Sequence, residues 1–228
     1  GTSILIRALK NENRKFSVQI IKQLNEEILK EIEKEPYEIV FFVDLGSGYL
    51  NKIEEHIQDK QVLILDHHHP EKLYETNNNI IQVNPHLFNI DGTKLICASG
   101  VTYFFAREFN NKNRNLSYLA VIGAIGDVQE DNGFVGLNKE ILEDAIDTNK
   151  IEIKQSLKIF GMQTKPLYKA LEYSTNPYIP GVTGSEAQAI KFLDDLDIKH
   201  KDEKGNYKKM INLSKEEISR LITAIVVK

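Results

Sequence analysis

The chain has 228 residues, of which 41% are hydrophobic, enough for one sizeable core with a smaller appended domain. Its formal net charge of −4 at pH 7 excludes a uniformly basic nucleic-acid coat, so any phosphate binding must be local, through a metal ion or a small basic patch. The single cysteine, Cys97, excludes an internal disulfide framework, and no apolar run approaches the ~18 residues of a membrane span, so we expect a cytoplasmic protein with no membrane partner.

The first half of the chain is predicted to alternate strands with helices, as in the βαβ units of a parallel sheet with helices on both faces. Hydrophobic periodicity predicts helices over residues 2–12, 25–34 and 50–58, and strands over residues 15–21, 38–43, 62–65 and 80–83. In such sheets ligands bind just beyond the carboxyl ends of the strands, so the residues that follow each strand are the ones to inspect.

The second half is predicted to be mostly helical. Helices are expected over residues 98–109, 116–125, 139–148, 166–173 and 185–196, and from residue 214 onward, where Ser214 and Glu217 have the spacing of a capping box. The stretch 116–125 is almost wholly apolar and is expected to be a buried helix. We therefore predict an α/β domain over residues 1–150, a parallel sheet flanked by helices, followed by a mostly helical extension over residues 151–228.

The tract Asp66-His67-His68-His69 directly follows a predicted strand and indicates a metal site. A carboxylate and imidazoles on a rigid strand end are suitable ligands for a hard or borderline metal ion. Because neighbouring residues of an extended chain alternate in direction, His67 and His68 need not bind the same ion, and one of them is free to face the substrate. The alternatives are a polar surface turn or a fragment of an affinity tag, although the tract is internal.

Two further carboxylates occupy comparable positions. Asp44 follows the apolar run of another predicted strand and precedes two glycines, although such an aspartate is often only a helix cap. Asp127 ends the apolar helix, where a buried carboxylate is costly unless it is paired or bound to metal, although a structural aspartate is an equal alternative. His86, after Asn84-Pro85, is expected at another strand end in a structural or supporting role.

Carboxylates and imidazoles that converge from separate strands favour Mn²⁺ or Mg²⁺ over a thiolate zinc site. Two such ions, roughly 3.5–4 Å apart, activate a water molecule and stabilise both oxygens of an in-line displacement at phosphorus. The sequence therefore predicts metal-assisted hydrolysis of phosphoesters.

The motifs in combination resemble those of the DHH phosphoesterases. The DHH signature is matched by Asp66-His67-His68, the second family motif by Val43-Asp44-Leu45-Gly46, and the fourth by Gly123-Ala124-Ile125-Gly126-Asp127. Three further segments resemble the archaeal RecJ-like branch, which includes the GINS-associated nuclease: Asn84-Pro85-His86, Ala98-Ser99-Gly100-Val101 and Tyr178-Ile179-Pro180-Gly181-Val182-Thr183-Gly184.

The resemblance implies a role for each matched residue. Asp44 would bridge two Mn²⁺ or Mg²⁺ ions, and His67 and Asp127 would complete the shell of one of them. His68 would face the scissile phosphate and stabilise its developing charge, while Asp66 would orient a histidine.

A second group of residues is expected to bind substrate. Backbone N–H groups around Ser99 and Gly100, at a predicted helix start, would contact a phosphate. His86 is grouped with them as a substrate-binding residue.

The chain departs from the family in two respects. Gly1-Thr2-Ser3 resembles the tail of the first family motif, but residues 1–228 contain neither the paired aspartates of that motif nor the second, substrate-gripping domain. The segment therefore resembles the metal-binding domain of a larger enzyme, or of a relative that has lost activity, and is expected to turn over weakly by itself.

Three functions follow from the resemblance. The leading one is an exonuclease on single-stranded DNA or RNA in replication or repair. The alternatives are a catalytically weak or inactive replisome scaffold that binds GINS and the replicative helicase, and a DHH enzyme for small substrates such as oligoribonucleotides, cyclic dinucleotides or pyrophosphate.

Overall fold

A computed structural model describes residues 1–71, 79–130, 133–153, 159–162 and 164–227, which divide into two compact units, Gly1–Ile153 and Lys154–Lys228. The elements of the first unit, in chain order, are α1 (Thr2–Asn11), α2 (Glu26–Lys34), β1 (Ile39–Val43), α3 (Leu50–His56), β2 (Gln61–Leu65), β3 (Ile80–Val83), α4 (Ala98–Phe109), α5 (Ser117–Gly126) and α6 (Gly136–Asp147). Those of the second unit are α7 (Leu167–Glu172), α8 (Glu186–Asp195) and α9 (Lys215–Val227).

The three strands form one parallel sheet in the order β1-β2-β3. Its register aligns Val43 with Leu65 and Leu65 with Val83, so all three strands end at the same level. The next residues, Asp44 and Asp66, therefore leave the sheet side by side. This alignment confirms the predicted parallel α/β architecture and brings the polar residues after each strand to one edge.

Helices cover both faces of the sheet because apolar side chains alternate along its strands. Phe42 and Ile64 belong to a buried cluster with Leu29 of α2 and Ile53 of α3. Residues of opposite parity, such as Leu65, belong to a cluster on the other face with α4. The sheet is thus held between two helical layers, and its carboxyl edge has a rigid support.

The predicted strand over residues 15–21 is wrong. These residues adopt neither helix nor strand, and Ile20 is 89% exposed. The alternation of apolar residues suggested a half-buried strand, but the segment pairs with none of the strands described above. Three strands remain where the sequence predicted four.

The predicted buried helix before Asp127 is present, but it is buried on one side only. Helix α5 buries Ala120, Val121 and Ala124 against its neighbours, whereas Ile122 and Ile125 are 58% and 50% exposed. An apolar sequence does not by itself bury every face, because a helix is covered only where another element packs against it.

The second unit has its own core, formed by residues that include Leu167, Leu171, Leu193 and Leu221. The predicted capping box starts α9: the Ser214 hydroxyl accepts from the Glu217 amide at 3.1 Å, and the Glu217 carboxylate accepts from the Ser214 amide at 2.8 Å. Across the described residues of both units, no helix has the length and apolar character needed to cross a bilayer.

Candidate metal centre

Two strand ends shape the candidate centre. Directly after β1, Asp44 adopts a positive φ of 67° while its amide donates to the Leu65 carbonyl at 3.0 Å. Gly46 follows with φ 112°, and a Cβ there would lie 3.1 Å from Ile64 and 3.2 Å from Phe42. This tight turn therefore requires glycine and aims the Asp44 carboxylate across the end of β2.

Three donor atoms converge at this edge. Asp44, His67 and His68 each offer one ligand atom, and these atoms all lie within 4.8 Å of one another. The His67 Nε2 atom is 3.5 Å from Asp44 Oδ1. The His67 side chain is only 9% exposed, whereas those of Asp44 and His68 are 61% and 59% exposed. One ligand is thus fixed in the protein and two face solvent.

The orientation of His67 follows from a bond on the far side of its ring. Its Nδ1 lies 2.7 Å from the carbonyl oxygen of Gly92, which can only accept, so Nδ1 carries a proton. In the neutral ring this leaves the Nε2 lone pair directed at Asp44. Gly92 is required here, because a Cβ would lie 2.3 Å from the His67 carbonyl oxygen.

Asp66 is a fully buried carboxylate that orders the histidine tract. It accepts hydrogen bonds from the amides of Ser47 and His67 at 3.0 and 2.8 Å, and from Nδ1 of His68 at 2.7 Å. This last bond leaves Nε2 of His68 available on the exposed side. Asn84, after β3, ties the turn together by donating to the Ser47 hydroxyl and the His68 carbonyl, both at 2.8 Å.

The pKa values of Asp44 and His67 are those expected of a cation site. The contact with His67 holds the pKa of Asp44 below its usual value, although burial acts in the opposite direction. Burial lowers the pKa of His67, but Asp44, the Gly92 carbonyl and the charge of Asp127 outweigh it and raise this pKa to about 9. The imidazolium therefore supplies the positive charge that a divalent metal ion would supply in its place.

Asp127 approaches His67 from the other side of the ring. Its Oδ2 atom lies 3.7 Å from His67 Nδ1 and accepts from Gln129 at 2.8 Å. The carboxylate is 40% exposed and lies outside the three-donor group. The family resemblance implied that Asp127 and His67 belong to the shell of the same ion, and the structure brings Asp127 beside that histidine on the Nδ1 side.

The predicted substrate residues lie near this edge in different settings. The Ser99 hydroxyl, in the first turn of α4, lies 2.7 Å from the backbone nitrogen of Gly1. Gly100 is buried, and a Cβ there would lie 2.7 Å from Ile96. The His86 and His69 rings are tilted by 39° with centroids 5.3 Å apart, and the buried Nε2 of His86 has no hydrogen-bond partner among the described residues.

A cleft of about 440 Å³ opens beside the donors and is lined by Asp44, Asp66 and His68. Lys22 and Tyr49 line it as well. From the sequence alone, no role was assigned to either residue. Lys22 lies next to residues 15–21, which were wrongly predicted to form a strand. A larger depression of about 600 Å³, lined by residues 146 and 149–153, contains none of the donors and is less relevant to chemistry.

The donor set fits a divalent metal ion. One carboxylate and two imidazoles supply oxygen and nitrogen ligands, and the buried thiol of Cys97 is not among them. Such a set suits ions from Mg²⁺ and Mn²⁺ to Zn²⁺. The predicted metal-binding capacity is therefore supported at the level of a possible three-ligand site.

Two comparisons with known proteins give matches to this chain. Over its full extent the chain is similar to Uncharacterized protein MJ0831 of Methanocaldococcus jannaschii, with 37% identity over 229 residues. The alignment covers 99% of this chain and 50% of the relative, so the chain spans about half the length of the curated relative that it matches. Residues 159–228 match the family model described as DHH-CID domain.

Proposed function

We propose that the chain is the metal-binding part of a DHH-family phosphoesterase that hydrolyses phosphodiester bonds. The observation that carries the proposal is the convergence of Asp44, His67 and His68 at the carboxyl edge of a parallel sheet. The match of residues 159–228 to the DHH-CID domain supports the same family independently, because it involves a different part of the chain.

Each residue has a role that its contacts support. Asp44 and His67 would hold the ion, and Asp127 lies beside His67 on the Nδ1 side of its ring. A divalent ion bound there would supply activation of water and compensation of charge on the phosphate oxygens. His68 stabilises the charge that develops on the scissile phosphate, because Asp66 fixes its Nδ1 and leaves Nε2 on the exposed side.

Phosphate entry would use the cleft beside these donors. The ammonium of Lys22 and the phenol of Tyr49 provide a positive charge and a hydrogen-bond donor for an incoming phosphate. Ser99, Gly100 and His86 are retained in this proposal as substrate-binding residues, although none of them lines this cleft.

At a finer level, we propose a RecJ-like exonuclease that trims single-stranded DNA or RNA in replication or repair, with Mn²⁺ or Mg²⁺ as cofactor and two ions in the complete site. GINS and the replicative helicase are the proposed partners. The order of the motifs around Asp44, Asp66 and Asp127, together with the segment 178–184, supports this branch of the family.

The test uses the complete gene product with single strands labelled at the 5′ or the 3′ end, in Mn²⁺ and in chelator. Metal-dependent trimming that Asp44→Ala and His68→Ala both abolish would establish the exonuclease, and the label pattern would give its polarity. Asp59→Ala is the matched control, since Asp59 is exposed and precedes β2 at the opposite end of that strand. If a folded product trims neither DNA nor RNA, the nuclease is excluded, and binding to GINS and turnover of small phosphoesters are tested next.

A further inference from the structure

We infer that Gln129 is a positioning residue of the candidate metal centre, an inference that rests on the function proposed above. One side-chain amide holds two groups that flank His67: the carboxylate of Asp127 and the carbonyl of Gly92. Gln129 itself touches neither reacting atoms nor, in our assignment, the ion, so it acts through these two neighbours.

The hydrogen bonds of Gln129 are fully specified. Its Nε2 donates to Gly92 O at 3.0 Å and to Asp127 Oδ2 at 2.8 Å, which uses both hydrogens of the amide nitrogen. Its Oε1 accepts from Asn138 Nδ2 at 2.7 Å. Because both of the first partners are acceptors and the third is a donor, the amide has only one orientation that satisfies all of them.

These bonds close a ring of contacts around the Nδ1 side of His67. The Gly92 carbonyl accepts from His67 at 2.7 Å as well as from Gln129, so both lone pairs of this oxygen are used. The Asp127 oxygen that Gln129 holds is the one 3.7 Å from His67 Nδ1. A rotation of Gln129 would therefore disturb both contacts that set the direction of His67 Nε2 and the place of Asp127.

The chain is bent to bring Gln129 to this position. Val128, which precedes it, has φ 56°, a left-handed conformation that is strained for a β-branched residue and persists only where surrounding contacts enforce it. Val128 is 67% exposed, whereas Gln129 is only 6% exposed and its amide donates to the Ala124 carbonyl at 2.9 Å. The strained turn at the end of α5 thus leaves the apolar side chain of Val128 exposed and buries the polar side chain of Gln129.

A neutral amide suits this task better than a cationic side chain. Lysine or arginine would also bond to Asp127, but would compensate the negative charge that attracts a metal ion. Glutamine fixes the carboxylate and leaves its charge available to the ion. Polar groups that orient metal ligands in this way commonly change metal affinity by about 10–100-fold when they are removed.

The experiment compares Mn²⁺ affinity, measured from the electron paramagnetic resonance signal of free Mn²⁺, for the complete gene product and its variants. Gln129→Leu removes the amide at similar volume, and Gln129→Glu replaces a donor with an acceptor beside Asp127. We expect affinity to fall about 10–100-fold in both, more strongly in Gln129→Glu. Gln61→Glu is the control: Gln61 is exposed at the start of β2, opposite the site, and its affinity should equal that of the wild type.

The melting temperature of each metal-free variant separates positioning from folding. Wild-type affinity in a folded Gln129→Leu or Gln129→Glu protein would overturn the inference while leaving the proposed function intact. Absence of Mn²⁺ binding in the wild type would overturn both. If both variants fail to fold, Asn138→Ser retains Gln129 but removes the bond that fixes its amide, and a few-fold loss of affinity is then expected, with an unchanged affinity counting against the inference.

Discussion

Two groups of residues in the Gly1–Ile153 unit are built around aspartates and differ in what balances the negative charge. In the arginine cluster (Tyr103, Arg107, Arg114 and Asp144), Asp144 accepts from Tyr103 at 2.5 Å, from Arg107 at 3.0 Å and from Arg114 at 2.8 Å. In the metal-centre cluster (Asp44, His67, His68 and Asp127), both Asp44 and Asp127 lie against His67.

The difference indicates which aspartates are structural. Burial raises the pKa of Asp144, but Tyr103, Arg114 and Arg107 outweigh it, so the pKa is lowered and the charge is balanced by guanidinium groups that never lose their protons. The charge opposite Asp44 belongs to an imidazole with a pKa of about 9, which can lose its proton and bind a metal instead. A carboxylate whose partner is always positively charged holds helices together. A carboxylate whose partner can lose its proton, and with it the positive charge, is suited to a metal site.

The largest effect is expected from Asp44→Asn, which should lower Mn²⁺ affinity and metal-dependent hydrolysis by more than about 100-fold. Loss of a ligand should lower affinity more than loss of a residue that only orients a ligand, which commonly costs about 10–100-fold. The metal-free protein should lose only the part of its stability that comes from the contact of Asp44 with His67, since the Asp44 side chain is 61% exposed. Calorimetric titration with Mn²⁺ and thermal unfolding in chelator measure the two quantities. Wild-type affinity in this variant would remove Asp44 from the centre, and a large loss of stability would make it a structural residue like Asp144.

Asp144→Asn should give the opposite pattern, with a loss of about 3 kcal/mol in the free energy of unfolding and unchanged Mn²⁺ affinity. The amide cannot accept from two guanidinium groups and Tyr103 together, and the Asp144 side chain is only 9% exposed, so charge-assisted hydrogen bonds are lost in a largely buried place. Arg107 keeps Glu140 and Arg114 keeps Asp147 as partners. Urea denaturation in chelator measures the loss. If Asp144→Asn keeps full stability but binds Mn²⁺ poorly, Asp144 would belong to the metal site and would not be a structural residue.

The third test uses pH. The pKa of His67 is raised to about 9 from an ordinary value of 6.5, so its contribution to the stability of the metal-free protein is fully present below pH 6.5 and is lost as pH rises through 9. We expect the free energy of unfolding to fall by up to about 3 kcal/mol across this interval. His67→Gln removes the titrating group and should flatten the profile, as measured by urea denaturation at a series of pH values.

Mn²⁺ should invert this trend, because the ion competes with the proton for His67 Nε2. Affinity is expected to rise between pH 6.5 and 9 and to level off above it. An Mn²⁺ affinity independent of pH would exclude His67 as a ligand, whereas a pH-dependent loss of stability that persists in His67→Gln would assign the titration to another group.

The comparison also explains how much of the site could be predicted from sequence. Asp44 and Asp66 follow apolar runs directly, and a parallel register brings such residues together, so their proximity follows from local pattern alone. Gln129 and Asp144 carry no such signal, because their partners come from other segments and are set only by tertiary packing. The strand predicted over residues 15–21 was wrong for a related reason. Apolar alternation gives a strand only where a neighbouring strand is available to pair with it, and tertiary packing decides that.

The smallest effect is expected from Asp147→Asn, which tests whether Asp147 contributes to the arginine cluster. Asp147 pairs with Arg114 at 2.8 Å, but the two side chains are 61% and 40% exposed, so water and salt screen the pair. We expect Asp147→Asn to lower the melting temperature by about 1–2 °C at most, with the difference disappearing in high salt. Arg114 retains Asp144 in this variant, so the buried part of the cluster is unaffected. A loss as large as that of Asp144→Asn would mean that Arg114 depends on Asp147 for its position, and the charge balance would then belong to the network of both aspartates rather than to Asp144 alone.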